Sequence, residues 1–340
     1  MDLSLSPEQE QLIDAFGSLY AKQARPEDVR SAEPLGFDPS LWARLLEMGA
    51  VAMAVAEDGG GWGASAVDLV LVAEQHGRAV APAPLIEAQV AARALGRCGD
   101  AGASALAAAI EGARLTTIAV RPARKGRAEL VPAGAVADDA LVLDGDRLVL
   151  LALDGARTPV ENLGSMPLAD VELSTDTLVL ATGADAVTIY ETAIDEWLLV
   201  TAAALVGIAA RALEIGVEYV RERKAWGVPI GSFQAISHRL ADSATAIDGA
   251  RLLTYEAAWA LAEDRARAAQ LAAMAFAFAY ETARDASYRS LHFHGGYGFM
   301  MEYDIQLYWR RARAWANVFA EPEAVYERVA DARYGKVAVA

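Results

Sequence analysis

The sequence predicts a mainly helical α+β chain, with an N-terminal helical domain, a small antiparallel β domain and a C-terminal four-helix bundle. Three observations predict it. Apolar residues recur at helical spacing up to about residue 112. Short β-like runs broken by Gly, Pro and Asp fill about 113–188. Long Ala-rich helical segments then run from about 189 towards the C-terminus at 340. The period of the apolar pattern carries each assignment.

In the first region (1–112), Ser6-Pro7-Glu8-Gln9 is a helix start. Ser6 is the N-cap, Pro7 takes the first helical position and Gln9 follows three residues after the cap. Leu12, Ile13, Phe16 and Leu19 continue the helix. Ser40-Leu41-Trp42 opens a second one, and 67–77 and 85–95 read as two more. Asp58-Gly59-Gly60-Gly61-Trp62-Gly63 is a loop. In the second region (113–188), the runs 115–120, 141–143, 148–153, 171–173 and 178–180 read as strands. Asp144-Gly145 marks a hairpin, since a type I′ turn needs positive φ at both central positions. In the third region (189–340), helices are predicted over 189–222, 234–263, 266–290 and 305–332, joined by short loops as in an antiparallel bundle.

Composition excludes several functions. The chain has 340 residues, 54 % of them hydrophobic, and a formal net charge of −16. Acidic proteins are repelled by nucleic acid and by anionic membrane surfaces, so neither is an expected partner. Cys98 is the only cysteine, which rules out an internal disulfide or a cysteine metal cluster and fits a small core hydrophobe. The N-terminal stretch MDLSLSPEQEQL has no basic-then-apolar signal pattern, and the apolar stretch 197–212 is too short to span a bilayer. A cytoplasmic protein is expected.

Two loops interrupt the Ala-rich helices and carry unusual chemistry. The first, RKAWGVPIGSFQ (223–234), places Arg223 and Lys224 at a helix end. A Gly-Pro-Gly turn follows, and then a new helix with Ser232 as N-cap. A helix N-terminus beside Arg223 suits a diphosphate. The same residues also fit a plain helix C-terminus whose cations satisfy the last carbonyls. The second, HFHGGYG (292–298), has three glycines in four positions, which lets backbone approach a ligand. It also reads as a helix stop with Gly295 in the left-handed cap position.

In this order and spacing the two loops resemble the C-terminal bundle of flavin-dependent acyl-CoA dehydrogenases. That family carries Arg-x-x-Phe-Gly…Phe-Gln and Gln-x-x-Gly-Gly-x-Gly segments. Trp226 stands here in the Phe position and His292 in the Gln position. LSLSPEQEQL, the Leu-Trp pair, AVAEDGGGWG and AEQHGR followed by Pro82 and Pro84 agree with the family's N-terminal domain. The resemblance implies FAD as cofactor, an acyl-CoA substrate and an electron-transfer flavoprotein as acceptor. It also implies that the bundle loops reach a neighbouring subunit's FAD. The contacts carried over are Arg223, Trp226, Gln234, His292, Gly295 and Gly296. Arg223 suits a diphosphate oxygen and Trp226 the adenine.

The sequence also departs from the family. The β domain lacks the Thr-Glu-Pro-x-x-Gly-Ser-Asp and Trp-Ile-Thr motifs. IAVRPARKGRAEL and DGDRLVLLALDG stand there instead. The catalytic Glu of the family's aromatic-Glu-Gly-Thr loop has only a weak counterpart. NVFAEPEAVYER offers Glu321 and Glu323 without Gly-Thr. Some members place the base at the start of the first bundle helix. That position is Trp197 here, and Glu196 lies about 100° away around the helix. These departures imply the short, degenerate subunit of an α2β2 heteromer, of the kind known in actinobacterial steroid degradation, whose partner supplies the base. Two other readings fit the same residues: a homotetrameric dehydrogenase using Glu321, and a structural subunit that touches no cofactor.

Overall fold

The structure is a computed structural model that describes residues 4–33, 35–155, 157–174 and 177–335. The N-terminal region forms α1 (Pro7–Gln23), α2 (Pro26–Ala32), α3 (Pro39–Glu47), α4 (Ala66–Arg78), α5 (Leu85–Arg97) and α6 (Asp100–Ile110). The Ser6–Gln9 capping box forms as expected. The start of α3 differs from expectation: Asp38, not Ser40, is the cap, and its Oδ1 accepts from the Ser40 and Leu41 N–H groups. Pro39 takes the first helical position, which moves the cap to the residue before it. Cys98 is half-buried rather than a core residue, and its thiol, pushed up to about 11 by burial, donates to the Ala94 carbonyl at 3.3 Å.

Six strands follow: β1 (Thr116–Ile118), β2 (Arg127–Val131), β3 (Asp139–Asp144), β4 (Arg147–Ala152), β5 (Ala169–Glu172) and β6 (Leu178–Thr182). One sheet has the order β1-β3-β4-β6 and a second pairs β2 with β5. All these pairs are antiparallel except β1–β3, which is parallel. Ala128, Val131, Ala140, Val142, Val149, Leu151 and Val171 form their shared core. β2 escapes the alternation test because only Ala128 and Val131 of its five residues point inwards. The β3–β4 turn is at the expected place but of another type. Asp144 pairs with Arg147, so Gly145 and Asp146 are central, and of these only Gly145 (φ 63°) is left-handed. That is the II′ pattern rather than I′.

The C-terminal region comprises α7 (Gly183–Glu222), a hairpin of β7 (Lys224–Ala225) and β8 (Val228–Pro229), α8 (Gln234–Glu263), α9 (Arg265–Phe293), α10 (Ile305–Asn317) and α11 (Pro322–Tyr334). The fourth predicted helix is thus two. Pro322 disfavours helical backbone at the residue before it, and Glu321 is extended (φ −64°, ψ 153°). One helix, α7, is long and apolar enough to cross a membrane, yet 78 % of its apolar window is buried, as in a core helix.

The chain forms two compact units, one of residues 1–29, 70–81 and 199–340, the other of 30–69 and 82–198. In the first, α4 and α7 touch backbone to backbone at two glycines. A Cβ on Gly77 would lie 1.9 Å from the Ala204 carbonyl oxygen, and one on Gly207 2.0 Å from that of Glu74.

Candidate functional site

The two sequence-predicted loops meet at one end of the bundle. The ring of Tyr219, near the end of α7, stacks on His294 at the end of α9, with centroids 3.9 Å apart. Arg289 of α9 donates to Ser243 of α8 at 3.0 Å, so the start of α8 lies beside the end of α9. His294 is the residue that sequence reasoning passed over. It is buried, its Nδ1 is 2.7 Å from the Ser290 carbonyl, and burial lowers its basicity towards the neutral ring. Its aromatic neighbours Tyr219 and Tyr303 were the available signal, but they are distant in sequence or across a loop.

The β7–β8 hairpin turns through Trp226 (φ 50°) and Gly227 (φ 84°), both left-handed. For a tryptophan this conformation costs roughly 1–2 kcal/mol. Strain of this kind persists where the surroundings impose it and concentrates at functional sites. Trp226 is 91 % exposed and touches only the edge of Phe233 among the aromatic rings described. Ser232 does not cap α8; its hydroxyl donates to the Pro229 carbonyl at 2.7 Å. The cap position is Phe233, and no side chain serves the first turn of α8. The Ile236 N–H donates to the Phe233 carbonyl at 2.9 Å, which leaves the N–H groups of Gln234 and Ala235 for water or a ligand.

Arg223 is exposed, and among the described residues its guanidinium donates to no helix carbonyl. Arg221, Lys224 and Arg239 lie in the same segments, interspersed with the exposed Glu222 and Asp242. Gln234 and His292 are also exposed, with His292 facing Tyr288 at 6.0 Å. Gly295 is left-handed (φ 61°), the predicted cap, and positions for a Cβ on Gly295 or Gly296 meet no atom within 4 Å. The six carried-over residues are all exposed.

The base candidates look different. Glu321 is exposed in the break between α10 and α11 and makes no side-chain cap there. Glu196 is buried, 4 % exposed, and gripped by α5. It accepts from Arg93 at 2.8 and 3.0 Å and from Arg97 at 2.9 Å, with a further short contact to Arg97. Burial alone would raise its carboxyl, but the Arg97 and Arg93 guanidiniums outweigh it and hold the group below the ordinary carboxylate range. Trp197 is fully buried, with Nε1 3.3 Å from Glu87, whose carboxyl burial pushes up. Glu196 and Trp197 both lie well inside α7, which starts at Gly183; Glu196 is held by two guanidiniums, and the Trp197 indole is no base.

In the β unit, the segment that replaces Thr-Glu-Pro is core. Ile118, Ala119 and Val120 are buried. The Ala119 N–H donates to Leu141 at 2.9 Å and its carbonyl accepts from the Tyr190 hydroxyl at 3.0 Å.

The chain order of helical region, small sheets and helical bundle is that of the enzyme class expected from the sequence. Comparison with known proteins agrees. The model for the acyl-CoA dehydrogenase N-terminal domain matches residues 6–104 and that for the C-terminal domain matches 188–317. The acyl-CoA dehydrogenase IpdE2 of Mycolicibacterium smegmatis is 31 % identical over 96 % of this chain and 98 % of its own. Among solved structures, a chain of the ChsE4–ChsE5 complex from Mycobacterium tuberculosis superposes with TM-score 0.89 at 26 % identity, covering 99 % of this chain and 100 % of that one. A chain of the Tcur3481–Tcur3483 steroid acyl-CoA dehydrogenase gives 0.87 at 26 %, covering 96 % and 97 %. The chain belongs to the acyl-CoA dehydrogenase family, FAD-dependent oxidoreductases acting on the CH–CH bond of acyl-CoA.

Proposed function

We propose that this chain is the cofactor-serving subunit of a heteromeric acyl-CoA dehydrogenase, α2β2 in composition, whose partner supplies the catalytic Glu. One contrast supports the reading: the glycine loop and Arg223 at the bundle end are open, whereas the Ala119 segment and Glu196 are buried and already engaged. Gly295 and Gly296 face empty space. A shelf without side chains beside Arg223 and the uncapped start of α8 fits the diphosphate–adenosine end of FAD. Arg223 binds phosphate oxygen, Trp226 covers the adenine, and Gln234 and His292 orient it, all from the open side of the chain. The spent backbone of Ala119 and the locked Glu196 do not fit the reactive end. When bound, FAD accepts the hydride that leaves the substrate β carbon as a base removes the α proton. The proposed substrate is a bulky acyl-CoA of the steroid side-chain class, supported by the ChsE4–ChsE5 and Tcur3481–Tcur3483 complexes among the similar structures. An electron-transfer flavoprotein is the proposed acceptor and the cytoplasm the proposed compartment.

The visible spectrum tests this. The chain purified alone is expected to be colourless, and yellow when co-purified with the acyl-CoA dehydrogenase subunit encoded beside it. Stoichiometric FAD in a homogeneous homo-oligomer would favour the homotetramer with Glu321 as base. A partner that holds FAD equally well without this chain would leave the structural-subunit reading.

A further inference from the structure

We propose that α10 carries a second docking surface, a row of N–H donors that receives a carboxylate-bearing segment of the catalytic partner subunit. Gln306, Trp309 and Arg313 follow one another at i, i+3 and i+7, one stripe of the helix. Gln306 Nε2, Trp309 Nε1 and Arg313 Nε are all buried and have no acceptor among the described residues. Gln306 itself is only 2 % exposed. Its Oε1 is already occupied by Arg310 Nε at 2.7 Å, and Arg313 lies over the Trp309 ring at 4.9 Å. The row therefore offers three N–H donors, one of them on the Arg313 guanidinium.

Buried donors are nearly always paired in a folded chain, so three orphans on one stripe point to a missing acceptor. Over Trp309 lies one exposed ring: Phe299, 61 % exposed, packs edge-on at 5.1 Å, followed by exposed Met300 and Met301. Phe299 ends the glycine loop Gly295–Phe299, whose first two residues have open space in front of them. Lifting Phe299 off Trp309 opens the row to an incoming segment. The occupant is acidic because a carboxylate answers the Arg313 guanidinium and the two further N–H donors with charge-assisted bonds, stronger than those to a neutral acceptor. It is the partner rather than a second copy of this chain, since two chains of charge −16 repel each other. The surface is also continuous with the loop proposed to meet the partner's FAD. The inference rests on that heteromeric reading.

The test uses the chain alone and its complex with the acyl-CoA dehydrogenase subunit encoded beside it. Trp309→Phe keeps the ring and deletes the orphan N–H; Gln306→Leu deletes the amide and, with it, the acceptor of Arg310. Removing the unsatisfied Trp309 donor is expected to raise the melting temperature of the isolated chain by about 2 °C. The same change is expected to weaken the complex about tenfold, because the partner's acceptor loses its donor. Unchanged affinity in both variants, in a complex that still carries FAD, overturns the docking row and leaves the shared-cofactor reading standing. A melting temperature that falls together with affinity assigns these residues to packing and overturns it as well. Failure of the two wild-type chains to associate defeats the heteromeric reading and the docking row with it.

Discussion

The arginines of α5 and those of the bundle end belong to one acidic chain and meet opposite fates. Arg93 and Arg97 direct their donors at a single buried carboxylate, Glu196, with Arg93 also reaching the Ala54 carbonyl at 2.8 Å. Arg223 is exposed, in the loop that follows α7. A guanidinium that finds its anion within the chain closes a region and removes it from chemistry. One left exposed in a loop keeps its donors for water or an external anion.

The comparison breaks most readily at Glu196. Replacing it with Ala leaves two partly buried guanidiniums without their anion, at a cost of roughly 3–5 kcal/mol for breaking a buried pair. Arg93 and Arg97 keep 23 % and 30 % side-chain exposure, which favours the lower end of that range. The midpoint of denaturant unfolding reports it. A loss below about 1 kcal/mol would show the cluster to be a surface pair. The depressed carboxyl also sets a pH dependence. Its contribution is complete at neutral pH and is lost as pH falls below the ordinary 4.5 towards the folded value.

Arg223→Ala should act on the cofactor instead. Loss of a charge-assisted bond to phosphate, about 1.5–3 kcal/mol, lowers FAD affinity of the complex by roughly ten- to a hundredfold. The melting temperature of the complex measured without added FAD should barely move. Unchanged flavin affinity, with a stability loss of about 0.3–1 kcal/mol, would make Arg223 a helix-end partner only.

Two glycines sharpen the same contrast. Gly207→Ala drives a methyl into the Glu74 carbonyl oxygen at 2.0 Å, and overpacking of this sort costs about 1–3 kcal/mol. Gly296→Ala meets nothing within 4 Å, so its stability effect should stay within about 0.5 kcal/mol. Flavin retention should fall in the Gly296 variant alone; equal retention in both would remove the shelf from the site.

The smallest effect is expected at Glu321. Glu321→Gln should leave most turnover of the complex intact. A general base is worth about 10²- to 10⁴-fold, so a rate loss of that size with FAD still bound would identify Glu321 as the base.

Local chemistry in the sequence determined the helix starts and stops that depend on adjacent residues: Ser6 with Gln9, and the left-handed Gly295 that ends α9. It also determined the order of helices, strands and bundle, because period is a property of neighbouring residues. Where a nearby proline competed with a plausible cap, at Asp38 and at Glu321, the reading slipped by a few residues or joined two helices into one. The tertiary structure alone decided that β1 pairs in parallel with β3, and that Glu196 is enclosed by arginines 99 and 103 residues away in the chain. It alone brought the two loops to one end of the bundle, through Tyr219 stacked on His294. The fate of a charge depends on which distant groups the fold places within a few ångströms, and no window of sequence contains that distance.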